Sequence, residues 1–228
     1  MKIYFVRHGH PDYKNDCLTE LGKKQAQAAA EQLKDCGIQR VYSSSKGRAF
    51  QTAEYTAKQY GLDVIPCDFI CEIGWSSIDG QPIYAGGQPW AVADSFVSEG
   101  KSLLNNNWQT LEPYSKSVVV ESVKTVCDGL DDWLAALGYQ REGDYYRIKG
   151  GSLQSVAMFS HAGSSSAALS HMFNIPFPLF CEMIDIVYTS ISVVELSDEI
   201  GALVSPKFRI VNDAKHIEGI SVENLYGN

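Results

Sequence analysis

No apolar run in this 228-residue chain approaches the roughly 20 residues that a membrane-spanning helix requires. Its beginning passes from Met1 straight into a strand-like run, without the basic, apolar and small-residue pattern of an export signal. A cytoplasmic protein is expected. Positive charge is also scarce: 19 Lys and Arg against 27 Asp and Glu give a net charge of −8. That balance excludes broad nucleic-acid or anionic-membrane binding, since both need a basic face. Metal-ligand spacing is missing too. Six cysteines (Cys17, Cys36, Cys67, Cys71, Cys127 and Cys181) are scattered, and Cys67 and Cys71, the one close pair, have no second pair or histidine nearby. Reduced, packing thiols and no metal or other cofactor are expected. There is no internal repeat, low-complexity tract or linker, so residues 1–228 read as one domain.

What is present is an ordinary globular composition, 45% hydrophobic and 20% charged. Helix and strand signals alternate from the start. Lys2-Ile3-Tyr4-Phe5-Val6 suits a buried strand, and residues 10–18 read as a polar loop. Thr19 is a credible N-cap for the alanine-rich run from Lys23 to Leu33, which Gly37 should stop. Val41-Tyr42-Ser43 is a second strand. A second helix is expected over 44–60, capped by Ser44 or Ser45 and stopped by Gly61, before a strand at Val64-Ile65-Pro66.

The pattern then changes. Glycines and aromatics crowd residues 74–110, which predicts loop with short helix. Val119, Val123, Val126, Leu130, Leu134 and Leu137 recur at three- and four-residue steps, predicting a helix over 115–137, and a hairpin follows at Gly138–Gly150. Ser155–Ser160 is the continuous apolar run of a central parallel strand, and Ser164–Phe173 is helical. Ser190–Leu196 and Phe208–Val211 read as late strands joined by a loop at Ser197–Pro206. The expected fold is α/β: a three-layer α/β/α sandwich with a mostly parallel sheet and a lid insertion at about residues 73–150.

Two of the strands end alike, in Arg7-His8-Gly9 and in His161-Ala162-Gly163. In an open parallel sheet, ligands bind outside the carboxyl ends of the strands, so two distant histidines can converge there. Arg48 opens the helix after a third strand end, where free N–H groups favour an anion. A neutral histidine nitrogen can attack phosphorus, and guanidinium forks can hold the phosphate oxygens. The chemistry suggested is phosphoryl transfer.

The ordered set of Arg7-His8-Gly9, Leu18-Thr19-x-x-Gly22-x-x-Gln25-Ala26, Tyr42-Ser43-Ser44-x-x-Gly47-Arg48-Ala49-x-Gln51-Thr52-Ala53, Glu72 and Ser160-His161-Ala162-Gly163 resembles the histidine phosphatase superfamily, the phosphoglycerate-mutase-like group. The likeness runs on into Ser190–Glu195 and Asn212-Asp213 and covers the chain apart from the insertion. It implies that His8 becomes phosphorylated. Glu72 matches the family's acid, which protonates the leaving alkoxide, later activates water, and needs a raised pKa. Arg7, Arg48 and His161, the last once protonated among the phosphate oxygens, are expected to hold the transferring group, with Gly9, His10 and Ala162 also touching substrate.

Some residues keep two readings. Glu72 could be a solvated glutamate. His10 departs from the family pattern, and either borders the pocket mouth or is a loop histidine without a role. Trp75, Tyr84, Trp90 and Trp108 either shape the substrate side or pack the insertion, while His171 and His216 read as structural. Pro11-Asp12-Tyr13-Lys14 stands where the mutases carry Ser/Thr-x-Trp-Asn, so the expected activity is hydrolysis of a small phosphomonoester. A cofactor-dependent phosphoglycerate mutase and an inactive phosphate- or phosphoprotein-binding module are the alternatives. Substrate identity and oligomeric state have no signature in the chain.

Overall fold

The computed structural model describes residues 1–151 and 153–220. In chain order its elements are β1 (Lys2–Arg7), β2 (Pro11–Asp12), β3 (Cys17–Leu18), α1 (Glu20–Leu33), β4 (Arg40–Ser43), α2 (Gly47–Tyr60) and β5 (Val64–Pro66). The middle of the chain holds α3 (Pro89–Ser98), α4 (Val119–Ala136), β6 (Tyr139–Glu142) and β7 (Tyr145–Ile148). The last third holds β8 (Ser155–Ser160), α5 (Ala162–Met172), α6 (Phe177–Met183), β9 (Ile191–Glu195), β10 (Leu203–Val204) and β11 (Lys207–Asp213).

Six strands form the main sheet in the order β11-β9-β1-β8-β4-β5. β1, β8, β4 and β5 run parallel, β9 runs antiparallel to β1, and β11 antiparallel to β9. Side chains alternate across a strand, and here both faces are apolar. Ile3, Phe5, Val156 and Met158 point into one core with α4, α5 and α6. Tyr4, Val6, Ala157 and Phe159 point into the other, which α1 and α2 cover through residues such as Leu33 and Ala53. Every residue of β8 is buried. Each large apolar side chain so placed contributes about 1.5–3 kcal/mol, which is why this strand reads as an unbroken hydrophobic run. The result is an α/β/α sandwich with a mostly parallel sheet.

The topology also sets where a ligand can sit. From the end of β1 the chain turns through α1, on one face, to β4. From the end of β8 it turns through α5 and α6, on the other face, to β9. The two connections leave in opposite directions, so a crevice opens between the carboxyl ends of β1 and β8. The strands are in register there, Arg7 opposite Ser160, and the His8 amide donates to the Ser160 carbonyl at 2.9 Å.

Several local expectations are corrected. Residues 10–18 are not all loop: β2 and β3 pair as a two-residue ladder. α1 is capped by Thr19, whose Oγ1 accepts the Gly22 amide, but it ends at Leu33, before Gly37. α2 begins at Gly47, without a cap from Ser44 or Ser45, and Gly61 closes it in the left-handed conformation. α4 begins at Val119, after a short 3-10 turn at Tyr114–Lys116. α6 has too few turns for a periodic signature. The loop at 197–206 carries β10, which extends the β6–β7 hairpin to three strands.

Within residues 73–150, Trp133 of α4 meets Tyr42 of the sheet edge-on, with ring centroids 5.2 Å apart. Trp108 is likewise buried, between Tyr114 and Phe177. Among the described residues no helix is long and apolar enough to cross a membrane.

Candidate active site

β1 delivers Arg7 and His8 into the crevice. Gly9 follows because nothing larger fits: a Cβ there would lie 2.6 Å from the Gly22 carbonyl oxygen. Its amide donates to Thr52 Oγ1 at 3.1 Å, and its carbonyl lies 2.7 Å from His8 Nδ1. A carbonyl can only accept, so Nδ1 must carry the proton and the lone pair is on Nε2. Arg48 Nε–H points at that nitrogen from 3.4 Å. His8 is almost fully buried. Burial, followed by His161, Arg7 and Arg48, holds its pKa well below the usual imidazole value. The ring is therefore neutral near pH 7, with its lone pair on a defined nitrogen.

Arg7 is 5% exposed and lies over the Tyr188 ring, 4.0 Å from its centroid, with Nη1 donating to the Ile186 carbonyl. Thr189 holds Tyr188 from a left-handed backbone, φ 54°, which a β-branched residue seldom adopts. Its amide donates to the His8 carbonyl at 3.3 Å. Arg48 is placed by Asp16, which accepts from Arg48 Nη1 at 2.6 Å and from the Gly47 amide at 2.8 Å. That carboxylate caps α2 from a distant loop, which explains why no neighbouring serine does. Burial raises the Asp16 pKa, but the Gly47 amide and Arg48 outweigh it and leave it lowered.

His161 ends β8 just ahead of α5. Its Nε2 lies 2.8 Å from Ser44 Oγ, and its ring centroid is 5.1 Å from that of His8. Burial first, then Arg48, Arg7 and Lys46, push its pKa well below the usual range. In the free site the ring is therefore neutral, and the protonated His161 expected from the sequence concerns the site with phosphate oxygens bound. Glu72 Oε1 accepts the amides of Ile73 and Ser164, both at 3.1 Å. Burial raises its pKa, and Arg7 with these amides only partly reverses that. Gly163 leaves room for the carboxyl, since a Cβ there would stand 2.7 Å from Oε1.

A cleft of about 550 Å³ is lined by Arg7, Arg48, Glu72 and Ala162, together with Tyr13, Trp75, Gln88, Trp90, Asp185 and Ile186. Arg7, His8, Arg48, Glu72, His161 and Ala162 are therefore brought together. Gly9 is not free to bind, because its amide and carbonyl are both engaged. His10 is turned away: Nδ1 meets Thr19 Oγ1 at 2.9 Å and its ring packs 5.5 Å from Tyr188. Sequence reasoning missed Asp16, Tyr188 and Asp185, which carry no local signal of their place, and read Ser44 as a helix cap where it meets His161 instead. Of the four aromatics singled out between residues 73 and 150, Trp75 and Trp90 reach the cleft, Trp108 packs in the core, and Tyr84 is 58% exposed. Among the described residues, no group of three or more His, Cys, Asp or Glu side chains is placed to hold a metal ion.

The model of the histidine phosphatase superfamily (branch 1) matches residues 3–208, a span that carries every residue of this cleft. The chain belongs to that superfamily. Histidine phosphatases of this group are phosphatases or mutases, which supports an enzyme. Among curated relatives, a 2,3-bisphosphoglycerate-dependent phosphoglycerate mutase of Thermoplasma acidophilum is 37% identical over 92 residues, 36% of this chain and 46% of that one. A probable phosphoglycerate mutase of Proteus mirabilis is 38% identical over 74 residues, 28% of this chain and 34% of that one. The matched stretch spans less than half the length of either relative. Among solved structures, the native mycobacterial glucosyl-3-phosphoglycerate phosphatase superposes with a TM-score of 0.64 at 20% identity, covering 92% of this chain and 98% of that one. The alpha-ribazole phosphatase of Shigella flexneri gives 0.58 at 19% identity, covering 98% and 100%. At such identities the likeness shows the fold.

Proposed function

We propose that this histidine phosphatase is a phosphomonoesterase that hydrolyses a small phosphorylated metabolite through a phosphohistidine at His8. The observation that carries the reading is the His8 tautomer: with Nδ1–H held by the Gly9 carbonyl, the Nε2 lone pair is directed into a site ringed by Arg48, Arg7 and His161. Nε2 attacks phosphorus in line with the ester oxygen, forming the N–P bond as the P–O bond breaks. Arg7 and Arg48 hold the equatorial oxygens and offset the charge that spreads over them. Arg7 Nε and His161 Nδ1, buried without protein partners among the described residues, are the atoms that phosphate oxygens would satisfy. Glu72, whose pKa burial raises, gives a proton to the departing alkoxide. As a carboxylate it then takes a proton from water, the water oxygen attacks phosphorus, the N–P bond breaks, and inorganic phosphate leaves with His8 restored.

A phosphoglycerate mutase is the second reading, favoured by the local similarity to the Thermoplasma acidophilum enzyme. It would be preferred if bisphosphate-primed isomerisation of phosphoglycerates outran hydrolysis. The direct test is hydrolysis of 4-nitrophenyl phosphate without added metal, compared with His8→Ala. The native protein should turn over and yield an acid-labile, alkali-stable phosphoprotein on rapid quenching, and the variant should do neither. Equal activity in the two proteins overturns the nucleophile assignment, and inactivity in both returns the chain to a binding module.

A further inference from the structure

Resting on the phosphatase reading, we infer that the substrate's alcohol portion carries an ammonium group and no second anion. The cleft lining decides this by charge. Among the described residues its only cations are Arg7 and Arg48, and both are committed to the phosphate end: Arg7 is 5% exposed against Tyr188, and Arg48 gives Nη1 to Asp16. Once a phosphate dianion occupies them, the wall that remains holds Trp75, Trp90, Gln88 and an exposed Asp185, with no cation among them. A carboxylate or second phosphate on the alcohol would share the cleft with Asp185 and, among the described lining residues, meet no further cation. The chain's net charge of −8 disfavours a second anion further.

The same wall suits a cation. Trp75 and Trp90 meet at 84°, with ring centroids 5.9 Å apart, so their indoles form a corner instead of a flat stack. Indole faces attract ammonium groups through the ring quadrupole, most strongly when the cation is weakly hydrated. Asp185 lines the same cleft and supplies the opposite charge. Phosphate held by arginines at one end, and an amine cation between indoles and a carboxylate at the other, describes a phosphorylated amino alcohol.

The test compares kcat/KM of the full chain for four esters of two-carbon alcohols: phosphocholine, phosphoethanolamine, 2-hydroxyethyl phosphate and 2-phosphoglycolate. The ammonium esters should exceed the neutral ester by about tenfold, and the carboxylate should fall below it by a similar factor. In Asp185→Asn the ratio of phosphocholine to 2-hydroxyethyl phosphate should drop toward one, and in Asp185→Lys the order of phosphocholine and 2-phosphoglycolate should reverse. Because each readout is a ratio within one protein, partial loss of folded material does not move it. Hydrolysis of 2-phosphoglycolate as fast as phosphocholine by the native chain, or ratios unmoved in both variants, overturns the inference alone. Failure to hydrolyse any of the four esters or 4-nitrophenyl phosphate overturns the phosphatase reading and the inference together.

Discussion

The two ends of the cleft are built from different kinds of chain. At the phosphate end, His8 and His161 leave adjacent parallel strands, and one nitrogen of each ring is anchored: Nδ1 of His8 by Gly9 and Nε2 of His161 by Ser44, while the Gly9 amide is held by Thr52. At the alcohol end, Trp75, Gln88 and Trp90 come from the stretch between β5 and α4, where α3 is the one α-helix among glycines and short turns and carries Trp90 in its first turn. The first end is held to a fixed geometry by the sheet and its register. The second is shaped by side chains on a loop-rich segment, where substitutions leave the sheet alone. Transition-state stabilisation requires the former, since misplaced donors lose their value, and selectivity tolerates the latter.

The sharpest way to probe that contrast is Glu72, which lies in the cleft beside both ends. Glu72→Gln keeps the shape but removes the transferable proton, and should lower kcat for alkyl phosphates by about a hundred- to ten-thousandfold. For 4-nitrophenyl phosphate, whose leaving group needs little protonation, the loss in the phosphorylation step should be much smaller. Equal losses with both classes would remove Glu72 from the acid role and leave it with the packing of Gly163.

A second probe is pH. Buried neutral histidines lower the folded-state pKa, so their contribution to stability is full above the unfolded value near 6.5 and is lost as pH falls through the lowered values. The same shift keeps His8 nucleophilic. kcat/KM should stay level from pH 6.5 to about 5.5, where a histidine of ordinary pKa would lose up to about tenfold. On the alkaline side the rate should fall as Glu72 loses its proton above the usual carboxyl range. Thermal melting as a function of pH reads the stability part, and a kinetic acid limb starting near 6.5 would contradict the buried, cationic surroundings of His8.

The smallest effect belongs to the alcohol end. Trp90→Ala should raise KM about two- to fivefold, the scale of one indole–cation contact, and leave kcat for 4-nitrophenyl phosphate within a factor of about two. A collapse of kcat instead would mean that the two ends are mechanically one.

Much of this was readable in the residues. Ser155–Ser160 announced a doubly covered strand, and Arg7-His8-Gly9 with His161-Ala162-Gly163 announced two strand ends with one task. What stayed hidden shares a cause. Asp16 reads as one polar residue in a loop, yet it caps α2 and holds Arg48, because the β2–β3 ladder folds that loop back. Tyr188 sits in no motif, and its place under Arg7 depends on β9 pairing with β1. His10 misled in the opposite sense: adjacent in sequence to the nucleophile, it is turned toward Thr19 by the same tight contact of Gly9 with Gly22 that shapes the turn.

By itself the sequence determined the strands of the main sheet, the helices α1, α2, α4 and α5, and residues of the kind that can carry phosphoryl chemistry, since periodicity and residue type act locally and along the chain. Only the tertiary structure decided which histidine nitrogen is free, which carboxylate aims Arg48, and that Trp75 and Trp90, but not Tyr84 and Trp108, line the cleft. Those depend on contacts between segments far apart in the chain, and hydrogen bonds made across such distances leave no trace in local pattern.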